Sequence, residues 1–346
     1  MDNIKKVYNS LYDKESKDIF LKKLMYNITA DFCHVFDLVS SHVRTENDFQ
    51  WHSFLKNISE ISKEKRVVIY GAGGEGDMLC SILESYGIYV DAFCDRNAKL
   101  NGKKIKPVIS PDQLLASYHE RNDFCIVIGT EMFYKEIYDY LVKNQINKND
   151  IFGGTAKFEL QYFDEELISF SDREVFVDGG SLDLNTSCIF LRKCKNAEKV
   201  YAFEPDPNNY KKCLQVKQER ELRQVEVYNF GLFDNNDELT FEQFDNGSSR
   251  ISSSGNSKIQ VVALDDILKD ENITFIKMDI EGAELNALKG AANIIARLRP
   301  KLAISVYHRP NHMIDIPLYL KSLIPDYKLY LRHYSIYPQE TILYAI

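Results

Sequence analysis

Two short apolar runs in this chain break abruptly into glycine turns, and that pairing constrains the fold more than any other feature. Arg66-Val67-Val68-Ile69-Tyr70 runs into Gly71-Ala72-Gly73-Gly74-Glu75-Gly76, and Val175-Phe176-Val177 runs into Asp178-Gly179-Gly180. A strand that ends in a glycine turn and opens a helix begins a parallel α/β unit, since the turn needs backbone freedom and the helix must cross the sheet. Further strands follow each turn. After the first come Tyr89–Cys94, closed by Asp95, and Phe124–Ile128, closed by Gly129-Thr130, with a helical stretch from Glu131 to Lys143. After the second come Val200–Phe203, Val225–Tyr228, Thr274–Met278, Leu302–Val306, Lys328–Leu331 and Thr341–Ala345. The sequence therefore predicts an α/β protein with two tandem Rossmann-like domains, the second built on a seven-stranded doubly wound sheet. The short link through Pro338 predicts an antiparallel final pair.

With 346 residues, two domains are the expectation. Ahead of them, Ile4, Val7, Tyr8, Leu11 and Tyr12, then Phe20, Leu21, Leu24, Met25 and Ile28, recur at helical spacing. These boundaries follow: a helical extension over 1–65, serving as a cap or homodimerisation arm, a small Rossmann-like domain over 66–154, and a larger α/β domain over 155–346. Gly153-Gly154 marks the second boundary. The polar stretch Asn246–Gly255 reads as a flexible loop or lid. A net charge of −8 argues against a broad nucleic-acid-binding face. Seven scattered cysteines with no C-x-x-C pair, no apolar signal core and no apolar membrane span predict a cytoplasmic protein with reduced thiols. No metal site is expected.

Ligands of open α/β sheets bind beyond the carboxyl ends of the strands. In the larger domain Asp178 sits at the first such end, before Gly179, Gly180 and Ser181. Glu204 ends the second strand, 26 residues after Asp178, and Pro205 follows it. A carboxylate at the first position repels a pyrophosphate but suits a ligand carrying an ammonium and a sulfonium. An acid at the second strand end can accept two ribose hydroxyls. Asp279 ends the fourth strand, with Glu281 and Glu284 on the opening turn of a helix, where the helix dipole favours acids. That dipole is the preferred account of Glu284. His308 ends the fifth strand, beside Asp279 in this topology, and is the candidate general base. Asp178, Gly179, Gly180, Ser181, Glu204, Pro205, Asp279 and Glu281 are the candidate cofactor-binding residues, and Asp279 and His308 the candidate catalytic ones.

The segments VDGGSLD, AFEPDP, IKMDIEGAELNALKGA and AISVYHRP, with the tail through DYKLYLRHYS to ETILYA, resemble the FkbM family of S-adenosylmethionine-dependent methyltransferases. The resemblance spans about Gln161 to Ile346, and D-I-E-G-A-E is its most specific part. It implies a methyltransferase sheet, S-adenosylmethionine as cofactor, and O-methylation of a small-molecule or glycan acceptor: a sugar hydroxyl in a glycan, nucleotide sugar or natural product. Two positions depart from the family pattern. Leu184 stands where many members have a further glycine, and His312 where relatives with a similar stretch carry an acid.

Gly71, Gly73 and Gly76, with Asp95 placed 19 residues after Gly76, meet the dinucleotide fingerprint of helix-start amides for a pyrophosphate and an acid for a ribose. The domain is short for a dehydrogenase, and no Tyr-x-x-x-Lys pair serves it. With KIKPVISPDQLL behind it, the domain is similar to nucleotide- or nucleotide-sugar-binding modules of polysaccharide-modifying proteins. Two rival functions remain at this stage: a NAD-dependent oxidoreductase or epimerase built on the glycine motif, and a non-catalytic nucleotide-sugar-binding protein.

Overall fold

A computed structural model describes residues 2–97, 100, 104–242, 250–251, 255 and 257–346. It divides into two compact units: Met1–Leu24 with Glu159–His333 and Gln339–Ile346, and Met25–Phe158 with Tyr334–Pro338. The helical segment 1–65 is thus not a unit of its own. It forms α1 (Asp2–Ser10), α2 (Lys14–Thr29), α3 (Cys33–His42) and α4 (Trp51–Ile61), which are shared between the two.

The smaller unit contains β1 (Arg66–Tyr70), α5 (Gly74–Ser85), β2 (Ala92–Cys94), β3 (Val108–Ile109), α6 (Pro111–Arg121), β4 (Phe124–Ile128), α7 (Tyr134–Lys143) and β5 (Ile151–Phe152). Its sheet is parallel throughout, in the order β3-β2-β1-β4-β5. The order reverses between β1 and β4, which places the glycine turn after β1 at the switch point where such sheets bind ligands. The strands read as unbroken apolar runs because helices cover both faces. α6 starts where Ser110 and Gln113 form a reciprocal capping box ahead of Pro111. On one face, Phe36 of α3 and Trp51 of α4 stack at 4.8 Å, and the Trp51 Nε1–H donates to the Ile336 carbonyl at 2.7 Å.

The larger unit contains β6 (Val175–Gly179), α8 (Asn185–Lys193), β7 (Lys199–Phe203), α9 (Pro207–Glu219), β8 (Val225–Tyr228), β9 (Gly231–Leu232), β10 (Asp237–Glu242), β11 (Arg250–Ile251), β12 (Ser257–Val262) and α10 (Leu264–Ile267). It continues through β13 (Phe275–Met278), α11 (Glu284–Lys289), α12 (Ala292–Leu298), β14 (Lys301–Ser305), α13 (His312–Leu323), β15 (Leu329–His333) and β16 (Thr341–Ala345). The seven expected strands form one sheet in the order β15-β16-β14-β13-β6-β7-β8, and β16 runs antiparallel to both of its neighbours. The chain turns from β6 to one side and returns at β13 on the other, so the switch point lies between β6 and β13. Rings of Phe163, Phe170, Phe176, Phe190 and Phe275 pack beneath it, Phe176 lying 4.5 Å from Phe190 and 5.1 Å from Phe275. Fully burying a phenylalanine contributes about 1.5–3 kcal/mol, so this cluster fixes the two central strands together.

α1 and α2 complete this unit. Tyr12 N–H donates to the Leu329 carbonyl at 2.8 Å, and the Arg332 guanidinium meets Asp13 at 2.7 Å. Four strands not expected from sequence, β11-β10-β12-β9, make a second, mostly antiparallel sheet around Phe241, Ile259 and Val261. Of the polar stretch 246–255, only Arg250, Ile251 and Gly255 are among the described residues, so the expected lid lies outside them. No helix among the described residues is long and apolar enough to cross a membrane.

Candidate active site at the switch point of the larger unit

The turn after β6 is compact because its glycines must be glycines. Gly180 has φ +75°, and a Cβ there would stand 1.9 Å from the Asp279 carbonyl oxygen, so the turn lies directly on the end of β13. Leu182 and Leu184 continue it with φ +51° and +63°. Leu184 therefore adopts the conformation that a glycine would take without strain, which explains why glycine suits this position in the family pattern. The side chain is fully buried, and that packing offsets the strain.

Asp178 lies near the carboxyl end of β6. Its carboxylate is 0% exposed, accepts the Ser187 hydroxyl at 2.7 Å and pairs with the Lys277 ammonium at 3.1 Å. Its charge is thus matched by Lys277 inside the protein. Lys277 also donates to the carbonyls of Gly179 and Gly180, at 3.0 and 2.8 Å, and so pins the glycine turn. The sequence reading missed Lys277. Its signal is a lone lysine inside the buried strand Phe275–Met278, where only a paired charge is tolerated. Ser181 is buried too, with its Oγ 3.7 Å from the Cys213 sulfur.

Glu204, at the end of β7, is 6% exposed, and burial pushes its carboxyl above the usual range against the backbone hydrogen bonds that it accepts. Leu182 N–H and Asp206 N–H each donate to one of its oxygens at 2.9 Å. Both oxygens keep a lone pair beyond those contacts. Asp206 caps α9 behind it, accepting from Asn208 and Asn209 N–H, which sets the direction in which the chain leaves Pro205.

Asp279 and His308 converge as expected from the ends of adjacent strands: His308 Nε2 lies 3.3 Å from Asp279 Oδ1 and 3.5 Å from Glu281 Oε2. Tyr162 and Tyr307 donate their hydroxyls to Asp279 at 2.6 and 3.2 Å. Glu284 opens α11 as expected, but it is fully buried, and its Oε1 takes Ile280 N–H at 3.0 Å, Gly282 N–H at 3.2 Å and His308 Nδ1 at 2.8 Å. His312 Nδ1 stands 3.2 Å from its other oxygen. Burial works against charge on Glu284, but the two imidazoles hold its carboxyl well below the usual range. Burial likewise lowers His308, yet Glu284, Asp279 and Glu281 outweigh it and raise the imidazole to about 10. With no other cation beside it, a histidine so raised carries a second proton near neutrality and then has no free lone pair with which to act as a general base. Asp279, Glu284 and His308 each present a ligand atom within 4.8 Å of the others, a spacing that could hold a metal ion.

Sequence reasoning also missed Glu340, Gln161 and Lys23. Gln161 donates to Glu340, and burial with the Asp279 charge raises the Glu340 carboxyl. Burial lowers the Lys23 ammonium, with Glu340 acting in opposition. These residues lie far apart in sequence, and no local pattern joins them to the strand ends.

In the smaller unit, Gly71 has φ +110°, and a Cβ on Gly76 would stand 2.0 Å from the Gly71 carbonyl oxygen. Gly73, at the start of α5, faces open space, and α5 has no side-chain cap. Asp95 accepts Ala72 N–H at 2.9 Å and Asn97 N–H at 2.8 Å, so it steadies the glycine turn.

Comparison with known proteins agrees with this division. Residues 175–330 match the FkbM methyltransferase domain, and residues 66–141 match the PglD N-terminal domain. The hexuronic acid methyltransferase AglP of Haloferax volcanii is 28% identical over 128 residues, 35% of this chain and 52% of that protein. The chain thus spans about half the length of that relative. The crystal structure of methyltransferase FkbM from Methylobacillus flagellatus KT shares the fold at 22% identity and a TM-score of 0.53, over 93% of this chain and 100% of that one. The larger unit thus carries the match to the FkbM methyltransferase domain, and the smaller unit the match to the PglD N-terminal domain.

Proposed function

We propose that the larger unit methylates a hydroxyl of a sugar-containing acceptor, with S-adenosylmethionine as methyl donor. The observation that carries this reading is the convergence of Asp279 and His308, at 3.3 Å, on the crevice edge that also bears the Gly179-Gly180 turn. Hexuronic acid, named for the Haloferax relative, gives the acceptor class to try first.

The residues fit the donor at one tested point: each Glu204 oxygen accepts a single backbone hydrogen bond and so keeps a lone pair for one hydroxyl of a ribose diol. When bound, S-adenosylmethionine supplies an electrophilic methyl group on a sulfonium. The chain's own work is then mostly positioning. Lys277 and Gly180 hold the turn over the crevice, Tyr162 and Tyr307 orient Asp279, and Glu284 orients His308. Asp279 is the group placed to take a hydrogen bond from the acceptor hydroxyl, and His308, when Nε2 carries a proton, to donate one. Transfer of labelled methyl from S-adenosylmethionine to glucuronic acid, its glycosides and uridine-diphosphate sugars tests the reading. Asp279→Asn should lower kcat by roughly 10²-fold or more with little change in donor affinity. An unaltered kcat in the folded variant would remove Asp279 from the reacting centre.

For the smaller unit we propose a nucleotide- or nucleotide-sugar-binding module. The uncapped start of α5 beside the open Gly73 supports an anion there, because helix-start amides point toward it. The oxidoreductase reading is less well supported than methyl transfer, since the domain matched at 175–330 is a methyltransferase domain.

A further inference from the structure

We propose that Asp279, Glu281 and His308 form a divalent-cation site at the carboxyl ends of β13 and β14, with Glu284 as the carboxylate that orients the histidine.

The argument starts at Nδ1 of His308. Glu284 Oε1 already accepts two backbone N–H groups, from Ile280 and Gly282, and lies 2.8 Å from Nδ1. A carboxylate oxygen can only accept, so Nδ1 carries the proton of that contact. The remaining nitrogen, Nε2, is buried, has no hydrogen-bond partner and belongs to a side chain only 8% exposed. It lies 3.3 Å from Asp279 Oδ1 and 3.5 Å from Glu281 Oε2. With Nδ1 protonated, a neutral imidazole sets its Nε2 lone pair beside two carboxylate oxygens. An Nε2 lone pair set beside two carboxylate oxygens is repelled by both unless a cation lies among them.

Two cations can fill that role: a proton on Nε2 or a metal ion. A proton on Nε2 would be held by charge alone, at 3.3 and 3.5 Å, since Nε2 forms no hydrogen bond with either carboxylate. The distances from Nε2 to the two carboxylates suit an ion. Neighbouring ligand atoms on a six-coordinate cation with bonds of about 2.1–2.5 Å lie roughly 3.0–3.5 Å apart. The arrangement behind the donors is that of a metal-binding histidine, whose second nitrogen is held by a carboxylate. Tyr162 and Tyr307 anchor Asp279 in the same manner. One imidazole with two carboxylates and no thiolate selects a hard to intermediate ion of the Mg²⁺ or Mn²⁺ type. A role for this ion in binding the acceptor oxygen rests on the methyl-transfer reading, whereas the site itself does not.

The test is titration of the metal-free full-length chain with Mn²⁺ alone, followed by loss of the free-ion electron paramagnetic resonance signal. One bound ion per chain is expected. His308→Ala and Asp279→Asn should abolish binding, and Glu284→Gln should weaken it by 10–100-fold. Should the buried substitutions fail to fold, Glu281→Gln decides the matter, because that side chain is 32% exposed; a loss of at least tenfold is expected. Absence of stoichiometric Mn²⁺ binding, or an affinity unchanged in Glu281→Gln and His308→Ala, would overturn the proposal and assign a proton to Nε2. Calorimetry with S-adenosylhomocysteine, run with and without chelator, separates the two claims. Nucleoside binding without Mn²⁺ binding rejects the ion and leaves the methyl-transfer reading standing. Mn²⁺ binding without nucleoside binding does the reverse.

Discussion

The two glycine turns resemble each other in sequence but differ in what their glycines face. In the smaller unit Gly71 and Gly76 pack against each other, while Gly73 meets nothing within 4 Å at the start of an uncapped helix. In the larger unit Gly180 lies on the Asp279 carbonyl, and the next residues, Leu182 and Leu184, bend back in left-handed conformations. The first turn leaves backbone amides open, whereas the second closes on its own sheet and leaves the crevice to side chains of neighbouring strand ends. A glycine motif therefore reports a tight turn in both cases and an accessible backbone in only one.

Adding one methyl group should expose that difference most strongly. Gly180→Ala would bring Cβ to 1.9 Å from Asp279 O at a positive φ, and Gly76→Ala to 2.0 Å from Gly71 O. Each should cost about 3–5 kcal/mol or prevent folding, as judged by urea denaturation. Near-native stability in either variant would mean that the turn can relax, and the packing account of that turn would fail.

Acid–base behaviour gives a second contrast. Glu131, in the smaller unit, accepts Ala156 N–H, Ile336 N–H and the Ser335 hydroxyl, yet burial and then the Glu75 charge raise its carboxyl to about 8. A carboxyl raised on folding contributes stability that is complete below its unfolded value near 4.5 and is lost as pH rises through about 8. The Tm should decline across that interval, and Glu131→Gln should flatten the decline. A Glu131→Gln profile parallel to the native one would show that the carboxyl titrates elsewhere.

The smallest effect belongs to Gly73→Ala. Its backbone is extended and its surroundings are empty, so stability should change by less than about 1 kcal/mol. Gly73→Val should instead block nucleotide or nucleotide-sugar binding by this unit while S-adenosylhomocysteine binding persists. Loss of both ligands together would break the separation drawn between the turns.

What could be read in the sequence follows the range of the interactions. The strands of the main sheets were legible because buried parallel strands are unbroken apolar runs. Asp279 and His308 were legible because topology brings neighbouring strand ends together. The small sheet from β9 to β12 was not, since its strands are short, half-exposed and interrupted by a polar stretch. The pairing of Asp178 with Lys277 was not legible, because the two lie 99 residues apart. Glu284 was taken for an ordinary helix-start acid, its role depending on two histidines that only the fold delivers.

The most direct test of the central claim, that the larger unit is a nucleoside-binding methyltransferase, is calorimetric titration of S-adenosylhomocysteine into the native chain and into Glu204→Ala. The account predicts saturable binding to the native chain and a loss of about 2–3 kcal/mol in the variant, the scale of two charge-assisted hydrogen bonds to a ribose. No binding to the native chain, or equal affinity in a folded Glu204→Ala variant, would contradict it.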